Sequence, residues 1–198
     1  MNSNSSVCSG EVQEEMLYLI TGGSGSGKSE YAEKIAASKH RSELQDGNLY
    51  YVAAMYPYDE ECRERIRKHR AMRKGKGFQT VECFTHLEKI QVGNKDVVLL
   101  ECMSNLLANE MYRKEGQIPC RGEEGERQLK AAILDEIMRL EKQAGCLVIV
   151  TNEVFSDGEV YEQETREYLR FLGKINVFLA QAAEKAMEIV YTIPVPLK

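Results

Sequence analysis

The run Gly22-Gly23-Ser24-Gly25-Ser26-Gly27-Lys28-Ser29 constrains this chain more than any other stretch, because it fills every fixed position of the pattern G-x-x-x-x-G-K-[ST]. Glycines let the backbone adopt positive φ and approach closely, so consecutive N–H groups can converge on a phosphate while the following helix adds its positive N-terminal end. Context agrees with the motif. Met16–Thr21 reads as a buried strand entering the loop, and Glu30–Ala37 reads as a helix leaving it. The arrangement predicts a nucleoside triphosphate site in which Lys28 spans the β- and γ-phosphates and the Ser29 hydroxyl ligates Mg²⁺. A flexible Gly/Ser turn is the plain alternative, and it leaves the flanking strand and helix unexplained.

Further apolar runs recur at Leu49–Ala54, Val97–Leu100, Leu147–Thr151 and Glu188–Ile193, with helical stretches between them. Continuous rather than alternating hydrophobicity is what a parallel sheet covered on both faces demands, and the helices supply the crossovers. The expectation is an α/β three-layer fold with a mostly parallel central sheet. Gln79–Cys83 adds a possible strand, and Val195–Leu197 an edge strand flanked by Pro194 and Pro196. Lys114–Gly125 reads as a surface loop. At 198 residues and 43% hydrophobic the chain is expected to form a single domain over residues 16–198, with the polar residues 1–15 as a loose tail.

A net charge of −5 argues against a general nucleic-acid binder. No apolar stretch approaches the roughly 20 residues that span a bilayer, and the first residues lack a secretion-signal pattern, so a cytoplasmic protein is expected. The six cysteines contain no C-x-x-C pair, which suggests neither a zinc site nor a disulfide framework.

A second constellation lies at Asp59–Arg73. As a helix it places Arg65, Ile66, His69, Arg70 and Arg73 on one broad face at i, i+3, i+4, i+7 spacing. Guanidinium groups there could hold triphosphate oxygens and departing pyrophosphate, and would depress the imidazole's pKa, keeping His69 neutral and nucleophilic. Spacing alone equally describes a solvated basic helix with an incidental histidine. Glu101 stands where phosphate-loop enzymes place an acidic residue at a strand's end to hold Mg²⁺, although a solvated strand-end glutamate has the same pattern. Asn152 and Glu153 follow another strand at that edge and could orient nucleotide or Mg²⁺, or cap the next helix. His40 and His86 carry no supporting pattern.

Taken together, the phosphate loop, Arg65-Ile66-x-x-His69-Arg70, Leu99-Leu100-Glu101-Cys102 followed by Asn105-Leu106-Leu107, and Val150-Thr151-Asn152-Glu153-Val154 resemble the bifunctional adenosylcobinamide kinase / adenosylcobinamide-phosphate guanylyltransferase family. Gly173-x-x-Asn176 and the C-terminal Pro196-Leu197-Lys198 extend the likeness, which runs from about Leu17 to Lys198. The resemblance implies a RecA-like P-loop fold, usually a homotrimer, with two successive activities. The first transfers a γ-phosphoryl group from ATP or GTP to the aminopropanol hydroxyl of adenosylcobinamide. In the second, a histidine takes GMP from GTP and passes it to the new phosphate, giving adenosylcobinamide-GDP. That histidine corresponds to His69.

Two departures stand out. The stretch Phe155–Glu162 lacks the proline found in similar sequences, and Lys68 stands where some carry a second histidine, leaving a single imidazole. Tyr50, Tyr51, Met55 and Tyr56 lie near enough to the second strand's end to meet a corrin ring, while core packing explains Tyr50 equally well. Two other classes fit parts of the pattern. A monofunctional P-loop kinase for another small alcohol uses the loop and Glu101 but not His69; a nucleotide-switched regulatory protein uses the loop without fast turnover.

Overall fold

The computed structural model describes residues 16–112, 122–154 and 161–198. The expected tail at 1–15, residue 113 and residues 114–121 of the expected loop, and 155–160 of the altered stretch lie outside them. The strands are β1 (Leu17–Thr21), β2 (Leu49–Ala53), β3 (Gln79–Glu82), β4 (Val97–Glu101), β5 (Cys146–Val150), β6 (Lys185–Val190) and β7 (Ile193–Pro196). They form one seven-stranded sheet in the order β3-β2-β4-β5-β1-β6-β7. Every pairing is parallel except β6 with β7. The helices are α1 (Lys28–Ser42), α2 (Glu60–Arg73), α3 (Met103–Tyr112), α4 (Gly122–Gln143) and α5 (Gln163–Ala182).

Alternate residues of each central strand feed two separate cores. Leu17, Leu19, Val98, Leu100, Leu147 and Ile149 face α3, α4 and α5 with Leu106, Ile137 and Phe171. Tyr18, Ile20, Tyr51, Leu99, Val148 and Val150 face the other way, against Ala32 and Ala36 of α1. This is the expected three-layer α/β arrangement with a mostly parallel central sheet, and its small alanines let α1 sit close over β4 and β5. Truncating Leu99, which is fully buried, would cost about 2–5 kcal/mol. Among the described residues no helix is long and apolar enough to cross a membrane.

Two expectations are corrected. The strand expected at Glu188–Ile193 runs from Lys185 to Val190; the chain then turns at Tyr191 (φ 48°) and Thr192 (φ 67°) and returns as β7. No glycine or asparagine marks that turn. It is held instead by a tertiary bond, the Thr192 N–H donating to the Ser26 carbonyl at 2.8 Å. Pro194 and Pro196 lie opposite Ile189 and Met187 on this edge strand, where a missing N–H is tolerated. The described end of the expected loop, Gly122 to Gly125, is instead the first turn of α4.

α2 is polar nearly all round and buries only Arg73. Local chemistry explains its formation. Asp59 caps it by accepting the Cys62 N–H at 2.7 Å, Glu60 and Glu61 occupy the first turn, and Arg67 bridges Glu60 and Glu64. Its far end is fastened by Lys76, whose ammonium reaches the fully buried Glu33 of α1 at 2.5 Å. His40 bonds the Gly47 carbonyl at 3.0 Å, and His86 pairs with Glu88 at 2.9 Å, both away from α2.

Candidate active site

The loop between β1 and α1 takes its shape from glycine. Gly22 has φ 150°, and a Cβ there would stand 2.6 Å from the Ile189 carbonyl oxygen; Gly27 caps α1 at φ 92°. Lys28 folds back over the loop, its ammonium donating to the Gly23 carbonyl at 2.9 Å. Burial lowers the Lys28 pKa, opposed by Cys102 and Glu101, with Arg65 adding to the depression. The ammonium of this half-buried lysine is already aimed along the loop where a phosphate would sit.

Beside the loop a cleft of about 840 Å³ opens among the ends of β2, β4 and β5, with α2 as its far wall. The wall holds Ser24 to Ser29, Arg65, His69, Arg70, Arg73, Glu101 and Asn152. Of the helix face read from spacing, His69 and Arg73 are the polar members drawn inward, while Arg65 and Arg70 line the cleft as exposed side chains. Gly22, Gly23 and Glu153 are not on the wall; the Glu153 N–H instead donates to the Gly22 carbonyl at 3.1 Å, tying the end of β5 to the base of the loop.

Glu101 is the junction. Its Oε1 accepts the Ser29 hydroxyl at 2.5 Å and lies 3.5 Å from His69 Nδ1, so a carboxylate faces the imidazole that sequence spacing had placed among arginines only. Arg73, 7% exposed, lays its guanidinium 3.4 Å over the ring of Tyr51, which is itself buried. Burial raises the Tyr51 phenol above its ordinary range, the Glu101 charge adds to this, and Arg73 opposes it. Arg70 pairs with Glu82 at the rim, and Arg65 stays exposed.

Buried polar atoms without a hydrogen-bond partner collect here. Among the described residues Ser26 Oγ, His69 Nδ1, Arg73 Nη1 and Glu101 Oε2 are of this kind, and all four belong to the wall. Each such atom costs about 1–3 kcal/mol, a cost a fold tolerates where a ligand relieves it. Mg²⁺ fits this donor set: the Ser29 hydroxyl and the Glu101 carboxylate, in contact through Oε1 and with Oε2 left unpartnered, are hard oxygens.

A polar shelf closes the floor. Asn152 Nδ2 donates to Ser104 Oγ at 2.6 Å, Ser104 Oγ meets Cys102 Sγ at 3.0 Å, Asn105 Nδ2 reaches the same sulfur at 3.1 Å, and the Tyr168 hydroxyl donates to the Ser104 carbonyl at 3.1 Å. Asn176 supports it from α5, accepting the Thr151 hydroxyl at 2.7 Å and donating to the Asn152 carbonyl at 3.3 Å. Sequence reasoning missed Ser104 and Tyr168; polar residues directly after Glu101 were the available signal for the first. Tyr51 and Met55 line the cleft, whereas Tyr50 packs on the core and Tyr56 points outward, 44% exposed.

A family profile described as cobinamide kinase / cobinamide phosphate guanyltransferase matches residues 18–197. The chain belongs to that family. Relatives of this cobinamide kinase / guanyltransferase chain include the bifunctional adenosylcobalamin biosynthesis protein CobU of Salmonella typhimurium, 30% identical over 192 residues and covering 92% of this chain and 100% of the relative. CobU of Escherichia coli is 30% identical over 190 residues with the same coverage. The bifunctional protein CobP of Pseudomonas aeruginosa is 27% identical over 188 residues, covering 92% of this chain and 98% of the relative. Among solved structures, a KaiC-like protein from Pyrococcus horikoshii aligns at TM-score 0.45 and 13% identity, covering 88% of this chain and 70% of that one. The family places the chain among the transferases of cobalamin biosynthesis, with kinase and guanyltransferase activities.

Proposed function

We propose that this chain phosphorylates adenosylcobinamide with ATP or GTP and then transfers GMP from GTP, by way of a guanylyl-His69 intermediate, to give adenosylcobinamide-GDP. The observation that carries the reading is that one cleft holds the phosphate-loop Lys28, the single cleft imidazole His69 and the unpartnered atoms of Ser26, Arg73 and Glu101. A kinase alone has no use for an imidazole beside its loop.

In the first step Lys28 leaves the Gly23 carbonyl for the β- and γ-phosphates and stabilises charge as the γ-phosphoryl group departs. Mg²⁺, held by Ser29 and Glu101, would neutralise phosphate charge there. Gly25, Gly27 and their neighbours present backbone N–H groups common to any triphosphate, which is why either ATP or GTP serves. In the second step Arg73 and Arg65 meet the phosphate chain while His69 attacks the α-phosphorus. Asn152, held by Ser104, contacts nucleotide or substrate phosphate from the opposite wall. We further propose a homotrimer acting in the cytoplasm; sedimentation showing only monomer at micromolar concentration would count against the trimer.

The test is incubation of the protein with GTP labelled at the α-phosphate, then denaturing electrophoresis and a chase with adenosylcobinamide phosphate. Covalent label that moves into adenosylcobinamide-GDP is the expected result. Kinase activity without any covalent label would leave a monofunctional kinase and refute the guanylyl-histidine reading.

A further inference from the structure

We infer that the ring nitrogen of His69 that takes the guanylyl group is Nε2, and that Glu101 is the residue that positions it. The inference rests on the guanylyl-histidine reading above and asks which atom carries the bond and what holds it there.

The two nitrogens of His69 are not equivalent. Nδ1 is buried, lacks a hydrogen-bond partner among the described residues, and faces Glu101 Oε1 at 3.5 Å, whereas the side chain as a whole keeps 24% of its surface open on the cleft wall. A phosphate approaching Nδ1 would have to occupy the place of a carboxylate that is itself 9% exposed. Nε2 is not the nitrogen that faces Glu101 and is not among the buried partnerless atoms of the described residues. The carboxylate oxygen that faces Nδ1 is also the one that accepts the Ser29 hydroxyl, so one short chain of contacts fixes the imidazole relative to the phosphate loop. Orientation of this kind is a large part of what a nucleophile needs.

The bond changes balance without a co-reactant. The Nε2 lone pair forms the N–P bond to the α-phosphorus of GTP, the bond from that phosphorus to the α,β-bridging oxygen breaks, and its electron pair leaves with pyrophosphate. Nδ1 keeps its proton throughout. With phosphorus on one nitrogen and a proton on the other, the ring carries a positive charge, and that charge appears against Glu101. In the second step an oxygen of the substrate phosphate bonds to the phosphorus, the P–N bond breaks, and its electron pair returns to Nε2. Glu101 stabilises the intermediate through the nitrogen that never reacts.

The experiment uses the full-length protein labelled with ¹⁵N-histidine, allowed to capture GMP from GTP, quenched in alkali, and read by ³¹P–¹⁵N coupling, which distinguishes the two phosphoramidates. Wild type is expected to carry the Nε2 isomer alone, and an Nδ1 product overturns the inference. Absence of any P–N bond while the kinase remains active refutes instead the guanylyl-histidine reading on which it rests. For the positioning role, Glu101→Ala is expected to slow capture roughly a hundredfold and to give both isomers. Glu101→Gln, which keeps an oxygen of the same reach opposite Nδ1, is expected to restore the pure Nε2 isomer. A Glu101→Ala protein that captures GMP as pure Nε2 isomer at the wild-type rate removes Glu101 from that role.

Discussion

Arg73→Met separates a guanidinium kept for the fold from one kept for a ligand. The side chain is 7% exposed, stacks 3.4 Å over Tyr51, and has an Nη1 group with no partner among the described residues. Removing it forfeits a desolvated cation–π contact of about 2 kcal/mol and also removes an orphaned buried donor that costs about 1–3 kcal/mol. The terms offset, so stability should change by no more than about 1 kcal/mol, since methionine refills much of the stem's volume. The ligand side has no such offset. A charge-assisted hydrogen bond from Arg73 to a phosphate is worth about 1.5–3 kcal/mol, which predicts a fall in kcat/KM for GMP capture of roughly 10- to 150-fold. Urea midpoints and initial rates of labelling at subsaturating GTP read the two effects independently. A protein destabilised by more than about 3 kcal/mol, or one that captures GMP within threefold of wild type, would refute the reasoning.

Other outcomes follow from the same geometry. Lys28→Ala should lose kinase activity by about two orders of magnitude or more while its urea midpoint barely moves, because among the described residues the hydrogen bond the ammonium makes is to a loop carbonyl; normal phosphorylation of adenosylcobinamide would remove the loop from the mechanism. Gly22→Ala should impair both activities, since its Cβ would stand 2.6 Å from the Ile189 carbonyl and 2.7 Å from Ser26 Oγ; parallel assays of the two steps that show neither affected would contradict this. Glu136 of α4 has its carboxyl pushed up to about 7 by burial and then by Glu88. The native state therefore holds a proton that the unfolded chain releases above its ordinary value, so stability is fully present below about pH 4.5 and is lost as pH rises toward 7. For a partly exposed group the loss is about 1 kcal/mol, and Glu136→Gln should abolish it in urea titrations at about pH 5 and 7.5, where identical slopes for both proteins would rule the linkage out.

Much of this site was readable because its chemistry is local in sequence. The phosphate loop is one contiguous run, Glu101 ends an unbroken apolar strand, and His69 with Arg65, Arg70 and Arg73 follows helical spacing capped by Asp59. What spacing cannot give is the third dimension. Nothing near Arg73 announces Tyr51, which reaches it from β2, and nothing near His69 announces that Glu101, on β4, will face Nδ1. Arg70 fits the same helical face yet spends its charge on Glu82 of β3. The β6–β7 turn escaped notice because Tyr191 and Thr192 are poor turn formers, held at positive φ by a bond to the phosphate loop rather than by their own preference. The start of α4 was hidden for the converse reason: Gly122 and Gly125 suggest a loop, but Leu129, Ile133 and Ile137 beyond them bury a face that draws the helix back to Gly122.

The most direct test of the account is His69→Asn assayed for both activities. Asparagine approximates the shape of imidazole but cannot form a phosphoramidate, while chemistry at the γ-phosphate asks nothing of His69. The account predicts that covalent capture of GMP and formation of adenosylcobinamide-GDP disappear, and that phosphorylation of adenosylcobinamide persists within about tenfold, under roughly 1.4 kcal/mol of barrier. A His69→Asn protein that still captures labelled GMP covalently would show that another residue is the acceptor and contradict the central assignment.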